Sequence, residues 1–150
     1  YKRQLAGPGK AHPKLDIGGI DAAGWIVRTY LEGLALGIER SYWYIWTAEP
    51  YPLLGIQVTD TSDGAKGITD LQEWVAGAEL LDCAVDGDVT GCAVEKHGVK
   101  SQILWATSRP TSTKAAVAGQ VCDVLGTCRE VAEGDPIDLD LNPVRVSSGS

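Results

Sequence analysis

Four cysteines have the residue type and spacing that most directly indicate chemistry: Cys83, Cys92, Cys122 and Cys128. An even number of clustered cysteines favours two disulfides and an oxidising compartment. Three pairings are open, and the local one, Cys83 with Cys92 and Cys122 with Cys128, suits neighbouring strands best. A zinc site of four thiolates is the alternative, but it usually needs C-x2-C spacing, and eight and five residues separate these pairs. We therefore predict two disulfides and a secreted or extracytoplasmic location.

Other motifs with metal-binding or catalytic chemistry are weak. His12 and His97 have no partner at a ligand spacing, so both are predicted at the surface. Asp86-Gly87-Asp88 resembles a fragment of a calcium loop, but the remaining ligand positions of an EF-hand are not filled. The sequence contains no dinucleotide-binding or phosphate-binding glycine motif. We predict no metal site and no cofactor.

The charge distribution excludes two classes of partner. The net charge is -7, and residues 51–150 carry fifteen acidic against seven basic side chains. Such a surface repels nucleic acid phosphates and anionic membranes, and no apolar run is long enough to span a bilayer. The sequence has no methionine, so Tyr1 is not a translation start, and we expect a processed chain or a piece of a longer one.

The first half of the chain reads as loop, helix, strand and helix. Residues 1–20 are basic and rich in glycine and proline, which predicts a loop. Asp21 is predicted to cap a helix that runs to about Ile38. Its apolar stripe follows the helical repeat and comprises Val27, Tyr30, Leu31, Leu34 and Ile38. A capping-box pattern at Thr69 predicts the start of a second helix, whose buried stripe is Leu71, Trp74, Val75 and Ala78.

The segment between these helices, Tyr42–Thr47, contains four aromatic residues and no charge. Large apolar side chains on both faces predict a strand that is covered on both sides, as in a parallel sheet. One parallel strand cannot form a sheet alone, so we expect its neighbours on an upstream segment that this chain does not contain.

From about residue 80 the apolar period changes to two. The predicted strands lie near 80–86, 91–96, 100–107, 115–124, 127–132 and 137–146, with turn signals between them. Repeated short strands of this kind predict an antiparallel sandwich or barrel.

This order of elements resembles the C-terminal end of clan A glycoside hydrolases, such as family 39 and related family 5 enzymes. RTYLEGLALGIERSYWYIW is similar to the seventh barrel helix and eighth strand, and GITDLQEWVAGAELLDC to the eighth helix. ILWATS and VCDVLGTCREVAEGDPIDLDLNPVRV resemble strands of the trailing sandwich. The resemblance implies an α/β plus all-β fold: the last strand and helices of a (β/α)8 TIM barrel over residues 1–79, then an antiparallel β-sandwich over residues 80–150.

The resemblance also implies a role for the aromatic segment. In these enzymes the eighth strand brings an aromatic ring to the mouth of the barrel, where it stacks on the sugar. Trp46 matches that position, Tyr44 shares its strand face, and Glu49 lies just past the strand end, where active-site loops sit. Trp43 and Ile45 would then face the helices. The alternative is that all these rings are core, as aromatic residues in strands usually are.

Retaining glycosidases need two carboxyl groups about 5 Å apart. In this clan they are glutamates at the ends of strands four and seven, and residues 1–20 contain no glutamate, so the resemblance implies that both lie outside this chain. Glu32, Glu39, Glu73 and Glu79 are predicted on helices as solvated or ion-paired residues.

Three functions stay open from the sequence. The first is the C-terminal part of a secreted glycoside hydrolase, which needs a larger N-terminal polypeptide and binds a carbohydrate. The second is a non-catalytic, disulfide-stapled module that binds a carbohydrate or a protein. A third, less supported by the residues, is a structural subunit of a surface or viral assembly.

Overall fold

The computed structural model describes residues 17–44, residue 46 and residues 56–148. Within them the chain forms two helices followed by eight strands. Their bounds are α1 Gly19–Ala35, α2 Asp63–Val75, β1 Glu79–Asp86, β2 Val89–Lys96, β3 Val99–Ala106, β4 Thr111–Lys114, β5 Gly119–Cys122, β6 Cys128–Val131, β7 Pro136–Leu139 and β8 Val144–Ser148.

Helix α1 is shorter than predicted at its C-terminal end and begins three residues earlier. Gly18 is the N-cap, so Asp21 lies in the first turn, where a carboxylate still favours the helix dipole. The helix stops because Gly37, at φ 73°, adopts the left-handed conformation. The amide of Gly37 donates to the Leu34 carbonyl, and that of Ile38 donates to the Gly33 carbonyl. This Schellman ending takes Ile38 off the helix.

The predicted apolar stripe of α1 is only partly buried. Val27 and Leu31 are fully buried and Tyr30 is half-buried, whereas Leu34 and Ile38 are exposed. Ile38 lies beyond the end of the helix and no longer continues its repeat, whereas Leu34 lies in the last turn of α1 and is exposed there.

Helix α2 begins at Asp63, and the predicted cap at Thr69 is wrong. Ser62 is the N-cap, and its hydroxyl accepts a hydrogen bond from the Ala65 amide. Thr69 lies inside the helix and donates its hydroxyl to the Ala65 carbonyl. The predicted stripe is correct for Leu71 and Trp74, which are buried, and Val75 and Ala78 pack beside them.

The cap assignment predicts opposite effects for two similar substitutions. Ser62→Ala should lower the free energy of unfolding by about 1 kcal/mol, because it removes a cap. Thr69→Ala should leave it unchanged or raise it by about 0.5 kcal/mol, because alanine is the better helix former. Urea denaturation of both variants measures these free energies. A larger loss of stability in Thr69→Ala than in Ser62→Ala would show that Thr69 is the cap, as the sequence pattern predicts.

The aromatic segment differs from its prediction. Tyr42, Trp43 and Tyr44 pair with no strand, and Trp46 forms one isolated parallel bridge with Val58. Tyr42 is 83% exposed and Tyr44 77% exposed, so the described part of the chain leaves both rings largely uncovered, and their coverage by strands of an upstream segment stays a prediction. Ile45 and Thr47 lie outside the described residues, and no neighbouring strand of a barrel is seen in the described part of the chain.

The strands form two antiparallel sheets. The larger has the order β1-β2-β3-β8-β5-β6, and the smaller pairs β4 with β7. The sequence missed β4 because its four residues, TSTK, contain no apolar side chain. The predicted strand 137–146 is two strands, β7 and β8, which pair with different partners.

Apolar side chains cover both faces of the larger sheet. One face packs against the helices, with Val27 and Leu31 of α1 and Leu71 and Trp74 of α2 in one cluster with Cys92, Val94, Ile103 and Trp105. The other face packs against the smaller sheet through Val121, Val131, Ile137, Leu139 and Val146. The helices and the β-strands therefore share a core, although the sequence divides them near residue 79.

Both disulfides lie in one cross-strand row of the larger sheet. Cys83 bonds to Cys92, and Cys122 bonds to Cys128. Ile103 of β3 and Arg145 of β8 lie between the two disulfides in this row. Across the sheet the order is Cys83, Cys92, Ile103, Arg145, Cys122 and Cys128. The pairing is the local one that the spacing favours, and the zinc alternative is wrong because all four thiols are in disulfides.

Candidate functional site

Trp46 is an exposed ring held in a fixed orientation. It is 49% exposed, so it is not a core residue of the described chain. Its indole N–H donates to a carboxylate oxygen of Asp60 at 2.7 Å, and its backbone bridges to the fully buried Val58. A tryptophan restrained through its polar edge while its apolar surface stays accessible is suited to stack on a ligand.

The exposed rings occur at every second residue of this segment. Tyr42 and Tyr44 are exposed together with Trp46, whereas Trp43 is half-buried. Trp43 packs against the cluster of Ile26, Val58 and Ala65, which joins α1 to α2. Trp43 therefore faces the helices, as predicted, while Tyr42, Tyr44 and Trp46 are exposed in the described part of the chain.

The glutamates singled out in the sequence lie in different environments. Glu49 lies outside the described residues. Glu32 forms an ion pair with Arg28 at 3.5 Å, and Glu39 and Glu73 are exposed. Glu79 was predicted on a helix but opens the edge strand β1. In the described ranges, no three histidine, cysteine, aspartate or glutamate side chains converge as a metal site would require.

The calcium-like motif is part of a tight hairpin turn. Gly87 adopts φ 57° between β1 and β2, as such turns require. Asp88 forms an ion pair with Arg109 at 3.1 Å. The carboxylate of Asp88 therefore has a cationic side chain as its partner in this structure.

Asp70 is the carboxyl group whose pKa the structure clearly perturbs. Burial raises its pKa above the usual value, and the charges of Glu73 and Asp123 add to this effect. Arg145 acts in the opposite direction and lowers the pKa. The Arg145 charge is therefore felt at the interface between α2 and the sheet.

The sequence did not reveal Asp60 as a site residue. It was part of a polar turn, fourteen residues beyond Trp46. No local pattern links an aspartate to an indole at that distance along the chain. The link arises because the chain doubles back, so that Val58 bridges to Trp46 and Asp60 lies beside the ring.

The fold, an antiparallel β domain joined to two helices, is similar to part of two solved glycoside hydrolases. One solved structure with this fold is a family 39 glycoside hydrolase from the gut symbiont Bacteroides cellulosilyticus WH2, with a TM-score of 0.66 at 13% identity. Another is a GH30 endoxylanase from Clostridium papyrosolvens C71, with a TM-score of 0.58 at 14% identity. The structural resemblance to a C-terminal portion of a clan A glycoside hydrolase is therefore confirmed at the level of fold.

The chain spans only part of either enzyme. The first match covers 85% of this chain and 30% of the enzyme, and the second covers 90% of this chain and 40% of the enzyme. No protein-family model and no curated protein matches the sequence. In the described part of the chain, no helix is long and apolar enough to cross a membrane.

Proposed function

We propose that this chain is the C-terminal part of a secreted glycoside hydrolase and that Trp46 is a sugar-stacking residue of its substrate site. The observation that carries the proposal is the exposed indole of Trp46, fixed by its hydrogen bond to Asp60. Sugars present C–H groups on their ring faces, and an oriented aromatic plane packs against them. Tyr44, two residues earlier and 77% exposed, would supply a second ring.

The rest of the enzyme would supply the chemistry. On this proposal residues 1–79 complete a (β/α)8 barrel and residues 80–150 form its trailing β domain. The catalytic acid/base and nucleophile would lie on a larger N-terminal polypeptide and hydrolyse glycosidic bonds with retention, and Glu49 would lie at the barrel mouth.

Trp46→Ala should weaken binding of xylohexaose or cellohexaose at least about fivefold, the loss expected for about 1 kcal/mol of aromatic stacking. Isothermal titration calorimetry measures the dissociation constants. Trp25→Ala is the matched control, because Trp25 is 46% exposed on α1, away from the aromatic segment. Equal affinities for both variants would remove Trp46 from the site.

Thermal unfolding of the Trp46→Ala variant separates a binding role from a packing role. A binding residue should lose affinity with little change in melting temperature. If the affinity falls only as much as the fraction of folded protein falls, Trp46 has a structural role and not a binding role.

The alternative function, a non-catalytic binding module, also accommodates an exposed tryptophan. Native mass spectrometry on material from the source distinguishes the two. The hydrolase proposal requires this 15.9 kDa chain to travel with, or within, a larger polypeptide. A chain that travels alone and binds the same sugars would be a binding module.

A further inference from the structure

A second cleft lies on the helix-facing side of the larger sheet. Its volume is about 630 Å³, and the buried ring of Trp74, near the C-terminal end of α2, forms part of its wall. Polar residues of the β2–β3 turn and of strands β2, β3, β5 and β8 also line it: Lys96, His97, Ser101, Gln120, Arg145 and Ser147. None of them belongs to the aromatic segment of Trp46.

The floor of this cleft is a row of hydrogen-bonding side chains. Ser101 of β3 pairs with Ser147 of β8, Ser147 pairs with Gln120 of β5, and Gln120 pairs with Glu130 of β6. Each lies two residues along its strand from the row that contains the disulfides, so it faces the same side of the sheet. Neighbouring side chains are therefore separated by about 4.8 Å, the spacing of strands. Hydroxyl and amide groups in such a row can bind several hydroxyls of one ligand.

The cleft is cationic in a chain whose net charge is -7. Lys96 and Arg145 line it against one acid, Glu130, which accepts a hydrogen bond from the Gln120 amide at 3.2 Å. The Lys96 ammonium donates to the Glu73 carbonyl at 2.7 Å, so it contributes charge while held on α2. This excess of positive charge favours an anionic group on the ligand.

Arg145 has an unused donor at this place. Its Nε is buried and has no hydrogen-bond partner among the described residues. Buried N–H groups are nearly always paired, and an unpaired one is costly. Asp70 feels the Arg145 charge but does not line the cleft. Arg145 itself lines the cleft, so its charge acts on an anionic group bound there.

His97 is held at the rim by an uncommon backbone conformation. It occupies the first position of a two-residue hairpin turn at φ 53°, followed by Gly98 at φ 79°. Asparagine or aspartate is the usual residue at such a position, because a histidine with positive φ is less favourable. The turn places a ring that can donate to an anion beside the cleft.

We propose that this cleft binds a carboxylate-bearing sugar, such as a uronic acid residue of an acidic polysaccharide. Arg145 would bind the carboxylate, and Ser101, Ser147 and Gln120 would bind the sugar hydroxyls. The preference for a carboxylate is inferred from the charged residues of the cleft. The choice of a sugar as the ligand rests on the proposed function. The cleft would hold an acidic chain at a second place, apart from Trp46.

The test compares trigalacturonate with the neutral sugar galactotriose by isothermal titration calorimetry on the full 150-residue chain. Trigalacturonate should bind more tightly than galactotriose. Arg145→Gln should weaken trigalacturonate binding by about tenfold to a hundredfold, as expected for a hydrogen bond to a charged group. Arg109→Gln is the control, because Arg109 is an exposed arginine outside the cleft.

Three outcomes would overturn the proposal. Equal affinity for the two trisaccharides, or no loss in Arg145→Gln, would show that no carboxylate is recognised. Acetate that competes as well as trigalacturonate would show a simple anion site without sugar recognition. If Arg145→Gln unfolds, Ser147→Ala and Gln120→Ala decide, because both should weaken trigalacturonate binding while acetate binding stays the same.

Trp46→Ala keeps this proposal separate from the proposed function. It should leave trigalacturonate binding unchanged, and Arg145→Gln should leave Trp46-dependent binding of neutral oligosaccharides unchanged. If the chain binds neutral oligosaccharides but not trigalacturonate, the cleft proposal fails and the proposed function stands. If it binds trigalacturonate but not neutral oligosaccharides, the proposed role of Trp46 fails and the cleft proposal stands.

Discussion

Trp105→Ala is expected to lower the free energy of unfolding by about 3–5 kcal/mol, as large-to-small changes of buried tryptophans do. Trp105 is 2% exposed on β3 and belongs to the cluster that joins the sheet to α1 and α2. Removing its ring leaves a cavity between the helices and the sheet. Since domains of this size are stable by about 5–15 kcal/mol, the loss is a large share of the total.

Urea denaturation followed by circular dichroism measures this effect. Trp25→Ala is the matched control, because it removes the same side chain from an exposed position on α1. Its expected cost is about 1 kcal/mol, largely the contact with the Arg28 guanidinium, which lies 5.3 Å from the ring centre. Similar losses for both variants would mean that the helices do not share a core with the sheet.

Gly67→Ala is expected to destabilise the chain by about 1–3 kcal/mol, although alanine is the better helix former. A Cβ at position 67 would lie 2.8 Å from the Ala23 Cβ and 3.0 Å from the Ala23 Cα. Because backbone atoms of α1 are among these contacts, no side-chain rotation relieves the overlap. The two helices must move apart, and the cluster beneath them loosens.

Gly33→Ala supplies the comparison for this substitution within α1. Its Cβ would meet the Ile38 side chain at 3.8 Å, which is ordinary van der Waals contact. It should therefore raise the free energy of unfolding by about 0.5 kcal/mol through helix propensity alone. Opposite signs for the two glycine variants support the close crossing at Gly67, and a stabilised Gly67→Ala variant would contradict it.

Local patterns in the sequence located most of the β-strands and favoured the observed disulfides. The predicted period-two segments overlap β1, β2, β3, β5 and β6. The two cysteines of each disulfide lie nine and six positions apart in the sequence, so adjacent antiparallel strands can bring them together. Strand β4 was not predicted, because its sequence, TSTK, contains no apolar side chain.

The start of α2 could not be predicted from local pattern. Gly64 and Gly67 lie in its first two turns and lower helix propensity, so a later start at Thr69 looked more favourable. Both glycines are there for tertiary reasons. Gly64 meets the Ile26 side chain and Gly67 meets Ala23, so both allow α2 to approach α1 closely.

The sequence by itself determined the composition of the β domain, the cysteine pairing and the exceptional density of aromatic rings at residues 42–46. Only the tertiary structure decided which rings are exposed, since Trp43 packs on the helices while Trp46 is held outward by Asp60. The structure alone also revealed the cleft around Arg145. Its floor is formed by residues 101, 120 and 147, which become neighbours through the strand order β3-β8-β5. Local periodicity fixes the face of a strand on which a side chain lies, but strand order and helix packing fix its neighbours.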